Sequence, residues 1–127
     1  MTWIFDNDRP IYLQVMEQLK LGVISGQLPA GSRLTAVREM AAEAGINPNT
    51  MQKALSELER EGLLYTQRTN GRFVTEDKAL LEQLRYQLAR QKLTALIEQM
   101  EKMGYTLDEI YTLLQKVLEE DRSNGTT

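Results

Sequence analysis

In PIYLQVMEQLKLGVISG, residues 10–26, apolar side chains at Tyr12, Val15, Met16, Leu19 and Val23 recur at spacings of three and four, which is one face of a helix. Pro10 suits the first turn, where its missing N–H does no harm, and Gly26 marks the end. QLPAGSRL then reads as a turn with a short extended piece at Arg33 and Leu34. Thr35 is placed to cap a second helix from about Ala36 to Ala44, with Val37, Met40 and Ala41 inward. Gly45 fits the left-handed position that stops that helix.

A third helix opens in GINPNTMQKALSELEREGLL, with Asn47 as N-cap and Pro48 at the first helical position. Met51, Ala54, Leu55 and Leu58 turn inward up to Gly62, while Gln52, Lys53 and Ser56 form a polar front. Leu64 to Gln67 and Arg72 to Thr75 are strand-like, and Asn70-Gly71 between them signals a tight hairpin turn; Leu63 and Phe73 are expected in the core. Two helices joined by a short Gly-containing turn and followed by a two-stranded wing make a winged helix-turn-helix. The order of elements is far more specific than any one of them. In that fold the second helix of the motif enters the DNA major groove and the hairpin tip reaches the neighbouring backbone or minor groove.

From about Thr75 the pattern changes. EDKALLEQLRYQLARQKLTALIEQMEKMG reads as one helix of roughly 25 residues, on the order of 40 Å long, stopped by Gly104. TLDEIYTLLQKVLEE follows, with Thr106 and Glu109 in capping-box spacing, and the closing DRSNGTT is expected to fray. Two such helices, in about 50 residues, are too small for a self-sufficient core. A second copy supplies the economical solution, four helices closing over a shared core through Leu84, Leu88, Leu96, Met100, Leu107, Ile110, Tyr111, Leu114, Val117 and Leu118. A heptad coiled coil is the runner-up, but Gln91 and Ala95 interrupt a strict seam. The expected architecture is therefore mainly α with a small β-hairpin: a winged helix-turn-helix over residues 1–76 and a two-helix dimerisation tail over 77–127.

Composition removes other classes. The 127-residue chain, 42% apolar, has no cysteine and no histidine, so disulfides, thiolate metal sites and the commonest general bases are unavailable. No glycine-rich phosphate loop replaces them, and no catalytic residue, metal or cofactor is expected. The lack of a signal-like or long apolar run points to a cytoplasmic protein that does not enter a membrane. The net charge of −3 is the wrong sign for a generic nucleic-acid binder. Between Gln27 and Thr75, however, six basic residues (Arg33, Arg38, Lys53, Arg60, Arg68, Arg72) stand against five acids, and the acids fall mostly late in the third helix. Arg38, Lys53, Arg68 and Arg72 lie near segment starts or in the hairpin, where a backbone phosphate can reach them.

The stretch from residue 10 to 74 resembles the DNA-binding domain of the GntR family of bacterial transcriptional regulators almost without a gap, and the short tail and NPNT helix start are most similar to its YtrA-like subfamily. The resemblance implies a homodimeric, repressor-type regulator of palindromic double-stranded operators. By matching positions it implies a DNA contact for Arg38, recognition-helix contacts for Asn47, Asn49, Thr50 and Gln52, and a wing tip at Gly71; Lys53, Arg68, Asn70 and Arg72 complete the expected surface. The family's Pro-Ser is replaced by Thr35-Ala36, where Thr35 offers a hydroxyl from the neighbouring position. Pro48 stands where many members carry arginine, so base recognition rests on shorter polar residues and Lys53. A winged-helix protein-interaction module is the alternative, supported by the weak net charge, and a carboxylate enzyme is a distant third. The two-helix tail leaves little room for an enclosed effector pocket, and no effector is identified.

Overall fold

The computed structural model describes residues 1–123. Five helices and one hairpin follow in order: α1 (Ile11–Ile24), α2 (Val37–Ala44), α3 (Pro48–Arg60), β1 (Leu64–Gln67), β2 (Gly71–Val74), α4 (Lys78–Lys102) and α5 (Leu107–Ser123). The chain forms two compact units, Met1–Arg85 and the residues from Tyr86 onward. The first unit thus extends past residue 76 into α4, whose Leu84 is buried there.

The core of the first unit is the apolar stripe expected of each helix. Val15, Met16, Leu19 and Val23 of α1 pack with Met40 and Ala41 of α2, Met51, Ala54, Leu55 and Leu58 of α3, and Leu63, Leu64 and Val74 around the wing. Val37 and Phe73, expected inward, are only half-buried; Phe73 stacks on Tyr65 across the hairpin with ring centroids 5.7 Å apart.

One local expectation is corrected. Thr35 does not cap α2: Ala36 holds the N-cap position, without a side-chain hydrogen bond. The reason is the extended run before it, where Leu34 N–H donates to Arg72 O at 2.9 Å and Arg33 bridges Phe73, so the backbone remains strand-like up to Ala36. The tight hairpin turn signalled by Asn70-Gly71 is present. Gln67 pairs with Gly71, leaving three residues in the loop, and Asn70 N–H donates to Gln67 O at 3.0 Å. Within this hairpin only Gly71 takes a positive φ, +95°, as in a turn closed by a bulge glycine.

The N-terminal arm before α1 is held by two glutamines one turn apart. Gln14, only 2% exposed, accepts from Asp6 N–H and donates to the carbonyls of Asp6 and Arg9 at 2.8–2.9 Å. Gln18 accepts from Ile4 N–H and donates to Ile4 O. The amide side chains act as a strand edge for the arm. Trp3 and Phe5, both half-buried, stack on each other at 6.0 Å.

In the second unit the capping box forms as spaced: Thr106 N–H donates to Glu109 Oε1 and Glu109 N–H to Thr106 Oγ1. Asp121, Arg122 and Ser123, expected to fray, continue α5, and residues 124–127 lie outside the described residues.

Candidate nucleic-acid interface

The helix-turn-helix is built by two backbone signals that need no partner from elsewhere. Gly45, at φ +70°, ends α2 in the left-handed conformation, and Ile46 N–H donates back to Ala41 O at 3.0 Å. Asn47 then caps α3, its Oδ1 accepting from Asn49 N–H at 2.8 Å, with Pro48 as the first helical residue. Three residues therefore separate the helices.

Burial of Met51, Ala54, Leu55 and Leu58 fixes which side of α3 faces outward. Asn49, Gln52, Lys53, Ser56 and Arg60 are exposed, and Thr50 is half-buried. Gln52 Nε2 donates to Ser56 Oγ at 3.1 Å, so the two polar side chains form one ridge. Lys53 Nζ lies 4.8 Å from the centroid of the Tyr12 ring on α1, which anchors the ammonium without neutralising it. Thr35 and Arg38 are exposed at the start of α2, and Arg68 and Asn70 are exposed in the wing loop.

Electrostatics is decided by where the acids go. Glu57 pairs with Arg60, Glu59 with Arg72 at 3.3 Å, and Glu61 with Lys20 at 3.3 Å. The hydrogen bond to Glu57 raises the Arg60 guanidinium above its ordinary pKa, keeping it charged. All three acids of the late third helix are thus engaged by nearby cations. Arg33, Arg38, Lys53 and Arg68 have no carboxylate partner among the described residues, so the outward charge of this face is more positive than its sum.

Arg72 differs from expectation in its surroundings. Its side chain is 19% exposed, and it shares Glu59 Oε1 with the Thr66 hydroxyl. Spacing places Tyr12 on an apolar helix face, Arg33 in an extended piece and Glu59 late in the third helix, but the roles of all three depend on contacts between elements that spacing does not show. An open cleft of about 330 Å³ runs between the start of α2 and the wing, with Arg33 and Arg72 among its lining.

Among the described residues no group of three His, Cys, Asp or Glu side chains is arranged to hold a metal ion, and no helix is long and apolar enough to cross a membrane.

The second unit presents a different surface. Leu93, Leu96, Leu107, Tyr111, Leu114, Val117 and Leu118 are each between 42% and 66% exposed in the single chain, and Leu88, Met100 and Ile110 are half-buried. No residue of α5 is buried. Leu84 stands apart from this set, being buried within the first unit.

Residues 11–74 match the profile of bacterial regulatory proteins of the gntR family. The chain is 37% identical over 106 residues to YhcF of Bacillus subtilis, an uncharacterised HTH-type transcriptional regulator, covering 84% of this chain and 88% of the relative. It is 33% identical over 109 residues to the HTH-type transcriptional repressor YtrA of the same organism, covering 85% and 84%. Among solved structures, a GntR family transcriptional regulator from Listeria monocytogenes superposes with a TM-score of 0.81 at 37% identity, over 88% of this chain and 98% of that one.

Proposed function

Because the chain belongs to the GntR family of bacterial regulatory proteins, and is a DNA-binding transcription regulator, we propose that it acts as a homodimeric repressor of a palindromic operator. The observation that carries this reading is the exposed front of α3, with Asn49, Gln52 and Lys53 outward, beside cations left without acidic partners. In this arrangement α3 lies in the major groove, Asn49, Thr50 and Gln52 approach base edges, and Arg38, Lys53 and Arg68 meet phosphates. Asn47 retains its amide N–H groups for DNA while its oxygen holds the cap. Repression is supported by the name of the YtrA relative.

The dimer is supported by the second unit. A run of exposed Leu, Val and Tyr side chains on α4 and α5 is left uncovered among the described residues, and a second copy of the same surface closes it around a two-fold axis. The interface residues are Leu88, Leu96, Met100, Leu107, Ile110, Tyr111, Leu114, Val117 and Leu118. The protein works in the cytoplasm, where its DNA lies.

A salt titration on random-sequence duplex tests the DNA-binding reading. Binding that weakens steeply with salt is the expected result, while no binding at low salt assigns the exposed face to a protein partner.

A further inference from the structure

Besides Arg68 in the loop, two arginines, Arg72 and Arg33, lie near the wing tip, and their surroundings are not alike. Arg72 is packed between strand and helix with its Nε 3.3 Å from Glu59 Oε1, and Thr66, its cross-strand partner, donates to the same oxygen. One carboxylate at the end of α3 therefore ties both strands of the wing to the recognition helix. Arg33 comes from outside the hairpin. Its segment runs along β2 through an isolated antiparallel bridge to Phe73, with Leu34 N–H donating to Arg72 O and Val74 N–H to Ser32 O, both at 2.9 Å. Its guanidinium lies across Gly71, where a Cβ would come within 3.2 Å of Arg33 Nε. Arg33 is exposed and has no carboxylate partner among the described residues.

From this contrast we infer that Arg33, and not Arg72, is the cation that joins Arg68 of the wing loop in meeting the DNA backbone, and that Arg72 and Glu59 are positioning residues that set the wing's angle against α3. A phosphate drawing Arg72 away has to compete with Glu59 and leaves that carboxylate unpaired beside another anion, which opposes the exchange. Arg33 has no such competitor. The absence of a side chain at Gly71 then serves two ends: it permits the positive φ of the loop, and it leaves room for the Arg33 guanidinium beside the wing tip.

The inference rests on the DNA-binding reading above, and its test uses the full chain with a random-sequence duplex of about 30 base pairs. The slope of log affinity against log salt is compared for the unaltered protein, Arg33→Ala, Arg72→Ala and Glu59→Gln, with thermal midpoints measured alongside. Arg33→Ala should reduce the slope by ~0.9, the signature of one lost phosphate contact, with an unchanged midpoint. Arg72→Ala should lower the midpoint and leave the slope as it was. Glu59→Gln, which keeps an oxygen acceptor for Thr66 and Arg72, should keep the slope. Should Arg72→Ala fail to fold, the exposed Arg33→Ala variant still decides. An unaltered slope for Arg33→Ala in a protein that binds the duplex overturns the inference, as does a loss of about one in Arg72→Ala alone. Failure of the unaltered protein to bind any duplex is a separate result, and it overturns the DNA-binding reading itself.

Discussion

Lys53 of α3 holds its ammonium 4.8 Å from the centre of the Tyr12 ring on α1, so a cation on the recognition helix is steadied by an aromatic face from another helix. A lysine so placed loses less side-chain freedom on meeting a phosphate. Tyr12→Leu should lower affinity for random duplex by about two- to fivefold, in line with ~0.5–1 kcal/mol for an exposed cation–π contact. Lys53→Ala should cost more and reduce the salt slope as well. Anisotropy titrations of both variants check this, and a Tyr12→Leu protein that binds as tightly as the parent removes the ring from the account.

Gln52 gives one amide N–H to Ser56, 3.1 Å away on the same exposed ridge, which leaves its other N–H and its oxygen for a base edge. An exposed neutral hydrogen bond contributes little net, so turning the amide away from Ser56 costs little as well. Gln52→Ala should cost about 1–3 kcal/mol on a selected operator and little on random sequence, with folding intact. Equal loss on both DNAs would instead mark Gln52 as a backbone contact.

Gln14 offers a test of stability away from the interface. Its side chain is 2% exposed and makes three hydrogen bonds to the arm, so Gln14→Ala removes them and leaves a small cavity. A loss of about 2–4 kcal/mol is expected in urea unfolding. Loss below ~0.5 kcal/mol would mean that the arm contributes nothing to the fold.

What the sequence made legible was local. Asn47, Pro48 and Gly45 place the helix-turn-helix, and Thr106 with Glu109 starts α5, because caps and left-handed stops involve residues within one turn of each other. Helical spacing likewise identified most of the core. Thr35 misled because capping preference says nothing of a strand pairing formed by the preceding residues with Arg72 and Phe73. Glu59 and Arg33 were illegible for the same reason. Glu59 meets Arg72 thirteen positions away, and Arg33 meets Gly71 only once the hairpin has formed. Gln14 reads as a polar residue on a helix, and nothing in its spacing shows that it is buried to hold a backbone segment.

Leu114 isolates the association of two chains from the folding of one. It is 51% exposed in the single chain, so a charge there scarcely disturbs the monomer but falls inside the proposed four-helix core. Leu114→Glu should sediment as a folded monomer and lose ~10²-fold or more in operator affinity, since two linked sites gain through effective concentration. A variant that remains dimeric places the interface elsewhere.

Two copies of this chain, each presenting α3, should read a two-fold symmetric site. The decisive measurement is selection of bound duplexes from a random pool by the protein, followed by sequencing. The expected outcome is a palindrome whose half-sites are centred about one helical turn, ~10 base pairs, or a multiple of it apart. Enrichment of a single asymmetric half-site, or no enrichment over the starting pool, would contradict it.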